Sequence, residues 1–340
     1  MNKFRFTPKI LHNISMIERL YGQLESYHLP KELQLNLERN NLIQSSYVSN
    51  SIEGNPLSLP EVTNLLLGDR LPVNRDEKEV RNYYDILSSL HSYITDPITI
   101  QTVLAIHKKL LDGVEYDISG VFRDRRVVVG RHIVKDGQVQ IKVKHEPPYH
   151  DKKRIETAVQ QLIEWLKTTD ALPIIKIGLF HHQYVYIHPF ADGNGRTIRL
   201  LTALLLLQNS YAINKYFVLD DYYDIDRPAY SDALHSADKG DSTKWLEYFT
   251  DGIKYSLQSA LAKTKNALTT IPKVSHRPTP REHDVLALFT SPQIELTTSA
   301  AAKMLGVSRQ QAQLLLSNLV NKGLVKKFGS TKSSYYKINK

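Results

Sequence analysis

A histidine, a carboxylate, a glycine-rich turn and two arginines lie within twelve consecutive residues of this 340-residue chain. These residues are His188-Pro189-Phe190-Ala191-Asp192-Gly193-Asn194-Gly195-Arg196-Thr197-Ile198-Arg199. The imidazole of His188 has an unperturbed pKa of about 6.5, which suits removal of a proton near neutrality. The carboxylate of Asp192 is the kind of oxygen ligand that Mg²⁺ prefers, usually together with phosphate oxygens. The segment therefore holds both a candidate base and a candidate metal ligand.

The glycines and arginines of the same segment indicate an anion site. Gly193 and Gly195 permit backbone angles that turn successive N–H groups toward one point, and the apolar helix predicted after them directs its positive N-terminus there. Arg196 and Arg199 are three residues apart, so both lie on the first turns of that helix, with forked donors that suit phosphate. The segment is not a P-loop, because the chain contains no G-x-x-x-x-G-K-[S/T]. The twelve-residue segment therefore predicts a site for phosphoryl-type transfer from a polyphosphate.

The segment resembles the signature of the Fic family, H-x-F-x-[D/E]-G-N-G-R-x-x-R, and matches it at every fixed position. By this resemblance, His188 deprotonates a hydroxyl of a target protein, which attacks the α-phosphorus of ATP, and Asp192 holds Mg²⁺ between the α- and β-phosphates. The nucleotide-binding positions implied by the resemblance are Gly193, Asn194, Gly195, Arg196, Thr197, Ile198 and Arg199. The resemblance thus implies a protein adenylyltransferase with ATP as substrate, Mg²⁺ as cofactor and a mainly α fold.

A second motif, Ser49-Asn50-Ser51-Ile52-Glu53-Gly54, resembles the inhibitory pattern of the same family, [S/T]-x-x-x-E-[G/N]. Ser49 and Glu53 lie one helical turn apart and share a helix face. By resemblance, the carboxylate of Glu53 pairs with Arg199, occupies the position of the γ-phosphate and inhibits transfer. The resemblance also places Asn50 at the nucleotide. Tyr230 belongs to the nucleotide pocket by its position in the family, or else it is an ordinary core tyrosine.

One segment predicts β structure in an otherwise helical chain. Between Arg126 and Val143, β-branched residues flank Asp136-Gly137, and such an Asp-Gly pair is a strong signal for a two-residue hairpin turn. From the residues alone, the segment is either a surface loop or a strand edge that holds an extended peptide. By resemblance it is the family's flap, here Arg131–Lys144, on which a target protein docks by strand pairing.

The rest of the chain predicts a mainly α architecture with a winged helix-turn-helix at the C-terminus. Helical patterns or apolar runs cover Glu156–Lys167, Ile174–Ile187, Leu200–Asn209 and Lys244–Leu268. After a proline-containing linker, three helices and two strands follow in winged-helix order, namely Pro280–Phe289, Thr298–Leu305, Arg309–Asn321, Leu324–Lys327 and Tyr335–Ile338. The predicted regions are a helical region with the inhibitory motif at 1–95, a Fic catalytic core at 96–270, a linker at 271–280 and the winged helix at 281–340.

Charge separates the C-terminal region from the rest. The chain carries a net charge of +9, and residues 273–340 supply +8 of it through eleven basic and three acidic side chains. A basic winged helix can bind DNA, and its third helix would then read bases through Arg309, Gln310, Gln311 and Gln313. The alternative is a protein-binding module with a solvated basic face. A nucleotide-sensing DNA-binding regulator in place of an enzyme also stays open.

Composition argues against several other classes. The chain has no cysteine, which excludes disulfides, thiolate zinc sites and cysteine nucleophiles and fits a cytoplasmic location. The most apolar run, Leu200–Leu207, is far shorter than the ~20 residues of a membrane span, so no membrane association is expected. His181 and His182 are expected in the core rather than on a metal ion. The sequence leaves open a homodimer, and it leaves open removal of AMP, with Glu53 assisting a metal-bound water.

Overall fold

The computed structural model describes residues 1–68, 70–135, 138–270, 278–289, 294–329 and 334–339, without the side chains of 131–142 and 269–270. Its residues group into two compact units, 1–268 and 269–340, each with its own hydrophobic core. In the described residues, both units are mainly α-helical, with one hairpin in the first unit and one small sheet in the second. The mainly α fold expected from the sequence is confirmed.

Helices make up most of the first unit. In chain order they are α1 (Pro8–Glu25), α2 (Lys31–Ile52), α3 (Leu59–Leu67), α4 (Arg75–Ser89), α5 (Ile100–Leu110), α6 (Lys152–Thr168), α7 (Pro173–Ile187), α8 (Asn194–Gln208), α9 (Asp220–Ile225), α10 (Arg227–Ser236) and α11 (Thr243–Thr270). Short 3₁₀ helices at Leu90–Tyr93 and Ala237–Lys239 follow α4 and α10. Asn74, Thr99 and Asp151 start their helices because each side chain accepts a hydrogen bond from the backbone N–H three residues on.

Helices α7 and α8 lie at the centre of the first unit. Both are apolar on nearly all sides, and a helix of this kind must be surrounded by others. Phe180 of α7 and Leu204 of α8 are buried in one core with Ile10 of α1 and Trp245 of α11. Helix α1 and the predicted catalytic region therefore share one core, while α2, α3 and α4 form a smaller cluster around Val62, Leu65 and Val80. Among the described residues, no helix is both long and apolar enough to cross a lipid bilayer.

The predicted hairpin is present. Strands β1 (Val129–Lys135) and β2 (Gln138–His145) pair antiparallel, with Lys135 opposite Gln138 and a bulge between Val129 and Gly130. The predicted turn at Asp136-Gly137 lies outside the described residues. In the part of the chain that the structure describes, these strands pair only with each other, so each keeps one edge without a sheet partner.

The second unit follows the predicted order of helices and strands. Its elements are α12 (Pro280–Ala287), β3 (Leu296–Thr297), α13 (Thr298–Leu305), α14 (Arg309–Asn321), β4 (Val325–Phe328) and β5 (Tyr335–Ile338), with the strands in the order β3-β5-β4. Thr279 and Ser308 cap the starts of α12 and α14, and Gly306 ends α13 with a φ of 64°. Strand β3 was not predicted, because two residues carry no periodic pattern.

Helix α8 begins at Asn194, six residues before the apolar run predicted from Leu200, and Arg196 and Arg199 lie in its first turns as expected. Gly193 has a φ of 73°, a left-handed conformation that lets the chain turn directly into the helix. The side chain of Asn194 accepts a hydrogen bond from the N–H of Phe190 and donates one to its carbonyl, both at 2.9 Å. The second half of the twelve-residue segment is therefore helical.

Replacement of Ile10 by alanine should lower the free energy of unfolding by about 2–5 kcal/mol, because Ile10 is fully buried and the change leaves a cavity. Leu11→Ala in the same helix is the control, since Leu11 is half exposed, and it should cost about 0.5 kcal/mol or less. Urea unfolding can be followed through the fluorescence of Trp165 and Trp245, which both lie in the first unit. Equal losses for the two variants would contradict the packing of α1 on the shared core.

Candidate active site

A strained backbone turn at the end of α7 presents the imidazole of His188. His188 has a φ of 51° and a ψ of 63°, a left-handed conformation that is uncommon for residues other than glycine. Arg123 holds this turn, because its Nε donates to the carbonyl of His188 at 2.7 Å and its Nη2 donates to the carbonyl of Ile187 at 3.2 Å. The backbone N–H of Arg123 donates to the carbonyl of Pro189 at 3.0 Å. These contacts fix the direction in which the His188 side chain leaves the helix.

Two stacked rings anchor the loop that follows His188. Phe190 is fully buried and lies on His107, with 3.5 Å between the ring centroids. The Nδ1 of His107 accepts from the N–H of Gly120 at 3.0 Å, so its Nε2 carries the proton and donates to the carbonyl of Asp192 at 3.0 Å. Burial lowers the pKa of His107 to about 4, which agrees with this neutral form. His107 is therefore a positioning residue for the loop.

The ring of His188 is neutral at physiological pH. Burial lowers its pKa to about 4, with the nearby guanidinium of Arg123 acting in the same direction and the carboxylate of Glu53 acting in the opposite one. The Nδ1 of His188 is buried and has no hydrogen-bond partner among the described residues. A neutral imidazole has a lone pair that can accept a proton, so His188 is in the protonation state that a base needs.

Arg199 is the centre of a buried cluster that joins α8 to α2. Its Nε donates to the hydroxyl of Ser49 at 2.6 Å, and its Nη2 donates to the carbonyl of Ser49 at 2.8 Å. The Nη2 also donates to the Oε1 of Glu53 at 2.7 Å. Burial opposes the charge of Arg199, but Glu53, Tyr230 and Asp220 hold its pKa above the ordinary value. The ion pair between Glu53 and Arg199 that the sequence predicted is present.

The carboxylate of Glu53 fills the space over Gly195. A Cβ atom on Gly195 would lie 2.1 Å from the Oε1 of Glu53 and 3.1 Å from the Nη1 of Arg199, so a side chain at this position would collide with both. This space lies at the N-terminus of α8, where the backbone N–H groups and the helix dipole favour an anion. Glu53 therefore occupies an anion-binding position.

Arg196 and Asp192 form a second charged cluster with α4. Arg196 is buried, and its Nη1 lies 3.0 Å from the Oε2 of Glu79. The Oδ2 of Asp192 lies 3.6 Å from Arg196 and 3.6 Å from Arg75, while its Oδ1 accepts from the N–H of Gly193 at 2.6 Å. The Nε of Arg196 is buried and has no hydrogen-bond partner among the described residues. The half-exposed carboxylate of Asp192 could bind Mg²⁺, and the unpaired Nε of Arg196 beside it could donate to a phosphate.

A cavity of about 380 Å³ next to His188 brings several predicted residues together. The predicted site residues that line it are Glu53, His188, Asn194, Gly195, Arg199 and Tyr230. Gly130 and Lys144 of the hairpin and Arg227 of α10 also line it. The hairpin therefore forms one wall of the cavity that contains the candidate base.

Other predicted residues do not line this cavity. Thr197 and Ile198 are fully buried, and the N–H of Thr197 donates to the carbonyl of Gly193 at 2.9 Å within the helix. Asn50 is also buried, and its amide donates to the carbonyl of Ser46 at 2.8 Å. Nucleotide contacts by Thr197, Ile198 and Asn50 stay predictions that the cavity lining does not support. The same holds for Gly193 and Arg196 as nucleotide-binding residues and for Asp192 as a metal ligand, since none of them lines the cavity.

For Tyr230, the sequence left open a place in the nucleotide pocket or in the core, and the structure has features of both. It lines the cavity, yet it is buried and its hydroxyl lies 3.0 Å from the Nε2 of His181. His181 is fully buried, as expected, and its Nδ1 lies 2.8 Å from the hydroxyl of Thr202. Tyr230 is thus a core residue whose exposed part faces the candidate site.

Sequence reasoning missed residues that hold the site in place, namely Arg123, His107, Glu79 and Arg227. Arg227 donates from Nη1 to the carbonyl of Ser51 at 2.7 Å and from Nη2 to its hydroxyl at 2.8 Å, so it holds the end of α2 just before Glu53. Each of these residues acts through contacts with segments distant in sequence. Local spacing therefore contains no signal that could have identified them.

Comparison with known proteins agrees with the resemblance. A sequence profile of the Fic/DOC family matches residues 97–206. The chain is similar to the protein adenylyltransferase Fic of Aedes aegypti, with 29% identity over 256 residues, which cover 72% of this chain and 46% of that protein. It is also similar to the protein adenylyltransferase Fic of Drosophila willistoni, with 27% identity over 295 residues, which cover 83% of this chain and 54% of that protein. The chain spans about half the length of the curated relatives it matches.

Solved structures share the fold. A Fic family protein from Desulfovibrio desulfuricans G20 aligns with a TM-score of 0.68 at 24% identity, over 100% of this chain and 98% of that one. Fic-1 from C. elegans aligns with a TM-score of 0.58 at 20% identity, over 76% of this chain and 72% of that one. At these identities the likeness concerns the fold alone.

Replacement of Glu53 by glutamine should lower the pKa of His188 further, because Glu53 is the nearby negative charge that raises it. In the wild type, the ring should be neutral at about pH 6, since its pKa is about 4 and not the ordinary value of about 6.5. Nitrogen-15 NMR titration of the histidine rings checks both expectations. Glu32→Gln, at the exposed start of α2, should leave the pKa of His188 unchanged. A His188 ring that takes up its proton near about pH 6.5 would contradict this description of the site.

Proposed function

The chain carries a Fic domain over residues 97–206, and we propose that the protein transfers AMP from ATP to a hydroxyl side chain of a target protein or of itself. The observation that carries this proposal is a neutral His188 beside the anion position of Gly195 and Arg199, within one cavity. The curated relatives, which are named protein adenylyltransferase Fic, support the same reaction. A base next to a phosphate-binding helix N-terminus suits nucleophilic attack on a phosphoryl group.

In the proposed step His188 is the base. Its ring nitrogen accepts the proton of the target hydroxyl while the hydroxyl oxygen attacks the α-phosphorus of ATP. A new O–P bond forms, the bond between the α-phosphorus and the oxygen bridging to the β-phosphate breaks, and pyrophosphate leaves with that electron pair. Arg196, Arg199 and the N–H groups at the start of α8 stabilise the negative charge of the phosphates. Catalysis then depends on position and charge.

Asp192 is the residue proposed to hold Mg²⁺, together with the phosphates of ATP. When bound, Mg²⁺ neutralises phosphate charge and so assists the departure of pyrophosphate. Arg75 and Arg196, each 3.6 Å from the Oδ2 of Asp192, orient this carboxylate. Glu79 pairs with both arginines at 3.0 Å and balances part of their charge.

Glu53 inhibits transfer in this proposal. Its carboxylate takes the anion position over Gly195 and uses a donor of Arg199 that a terminal phosphate of ATP requires. ATP that binds beside Glu53 must shift its phosphates, which turns the α-phosphorus away from His188. The contacts of Arg227 with Ser51 keep the end of α2 in the inhibiting position.

The hairpin is the proposed docking site for the target protein. Val129 and Gly130 line the cavity at the start of β1, so the hairpin adjoins the candidate base. An extended segment of a target can pair with a strand edge through backbone hydrogen bonds. Pairing of this kind would place a hydroxyl of the target at the mouth of the cavity.

Several other interpretations stay predictions: DNA binding by the C-terminal unit, a nucleotide-sensing regulator, a homodimer, a cytoplasmic location and removal of AMP. In the C-terminal unit, Arg309, Gln310 and Gln311 are exposed at the start of α14, where a base-reading helix would need them. Gln313 is exposed as well, and its side chain also donates to the hydroxyl of Tyr336 at 3.0 Å, so it contributes to the packing of its own unit.

Glu53→Gly should raise the rate of AMP transfer roughly 10- to 100-fold, because a charge-assisted hydrogen bond of about 1.5–3 kcal/mol no longer occupies Arg199. The rate is measured as incorporation of AMP from ATP labelled at the α-phosphate, with Mg²⁺ present. Glu32→Gly, at the exposed start of the same helix, is the matched control and should behave as the wild type. A Glu53→Gly protein no more active than the wild type would refute the inhibitory role.

His188→Ala in the Glu53→Gly background should lower transfer by about 100- to 10,000-fold, since it removes the general base. Binding of ATP, measured by calorimetry, should persist, because His188 acts on the target hydroxyl and not on the nucleotide. His150→Ala removes an exposed histidine that follows the hairpin and serves as the control. Undiminished transfer by the His188→Ala protein would exclude His188 as the base.

A further inference from the structure

Three histidines surround one aspartate at the base of the hairpin. Asp238 lies in the 3₁₀ helix after α10, and its Oδ2 is 2.9 Å from the Nδ1 of His145 and 3.0 Å from the Nδ1 of His235. Its Oδ1 is 2.9 Å from the Nε2 of His182. Because His145 ends β2 and His182 belongs to α7, this cluster connects the hairpin to two helices of the cavity wall.

A neutral ring alone cannot satisfy both contacts of His145. Its Nε2 faces the carbonyl oxygen of Tyr186 at 3.0 Å, and its Nδ1 faces the carboxylate of Asp238. Both partners only accept hydrogen bonds, and the side chain of His145 is 3% exposed. Either the ring is a buried imidazolium, or a cation binds at Nδ1 while Nε2 keeps its proton and donates it to the carbonyl oxygen of Tyr186. The second arrangement is the one that metal-binding histidines adopt.

The neighbouring groups have the orientation that a metal site needs. The Nδ1 of His182 accepts from the amide of Gln183 at 3.3 Å, so its Nε2 carries the proton that it donates to the Oδ1 of Asp238. The Oδ2 is left facing the two Nδ1 atoms of His145 and His235, and these three atoms all lie within 4.8 Å of one another. Ligand atoms of a tetrahedral Zn²⁺ site are about 3.3–3.5 Å apart. The two distances from the Oδ2 of Asp238, 2.9 Å and 3.0 Å, need to change by about half an ångström, and the two Nδ1 atoms have to lie closer to each other than the 4.8 Å limit when an ion binds.

We propose that His145, His235 and Asp238 bind a divalent transition-metal ion of the Zn²⁺ type. Two imidazoles and a carboxylate suit such ions, whereas Mg²⁺ prefers oxygen ligands alone. His235 lines the cavity, which gives an ion from solvent a route to the cluster. The ion reinforces the contact in which the Nζ of Lys144 donates to the hydroxyl of Ser231 at 2.9 Å, and so ties the hairpin to α10. Binding of the ion does not require that the chain transfer AMP.

Calorimetric titration of the chelator-treated protein with ZnCl₂ tests the site. We expect one ion per chain for the wild type, and the same for His150→Ala, which removes an exposed histidine near the hairpin. His235→Ala and Asp238→Asn should each weaken binding more than about tenfold, because each removes a ligand. Excess MgCl₂ should not displace the ion.

Two further measurements keep the test independent of any loss of stability in the variants. Co²⁺ in place of Zn²⁺ should give the visible absorption of a tetrahedral site with the wild type and lose it with His235→Ala. Amide hydrogen exchange within Val129–His145 should slow when Zn²⁺ is added. If the wild type binds no Zn²⁺, or if His235→Ala binds it equally well with the same Co²⁺ spectrum, the site does not exist and His145 is a buried imidazolium.

Discussion

The buried guanidinium of Arg199 requires a negative partner, and the rest of the site depends on which partner it has. Its side chain is 1% exposed, and a buried charge without a partner is strongly destabilising. Glu53 supplies that partner at 2.7 Å, and Ser49 supplies two further acceptors. A phosphate of ATP offers the same charge and the same kind of acceptor. In the proposed mechanism both anions need the space over Gly195 and exclude each other, which would couple the position of α2 to the chemistry at His188.

Asp220 explains how Arg199 can remain charged when Glu53 moves away. Asp220 is buried, and its Oδ2 accepts from the hydroxyl of Ser45 at 2.9 Å and from that of Tyr83 at 3.4 Å. Burial raises the pKa of Asp220 to about 6, with Arg199 acting against that rise, so the group is a carboxylate at neutral pH. Arg199 thus has a fixed negative neighbour in the core and an exchangeable one in the cavity.

From the sequence it was possible to predict the parts of the site whose residues are consecutive or one helical turn apart. The candidate base His188, the glycine turn proposed to bind an anion and the pair of Ser49 and Glu53 are of this kind. Helix α14 was predicted with the bounds Arg309–Asn321 that the structure has. Arg123 and His107 escaped prediction because they act on carbonyls that only the folded chain brings near them. Apolar periodicity covers α8 only from Leu200, because its first turn is stabilised by local hydrogen bonds of the Asn194 side chain, which such periodicity does not register.

Crystal structures of the wild type and of Glu53→Gly, each with ATP and Mg²⁺, would test most directly whether Glu53 and ATP compete for one position. In the variant, we expect a phosphate oxygen over Gly195 within hydrogen-bond distance of the Nη2 of Arg199, and the α-phosphorus facing His188. In the wild type, Glu53 should keep its bond to Arg199 and the α-phosphorus should face elsewhere. An identical ATP pose in both proteins, or phosphates bound away from Arg199, would contradict the competition.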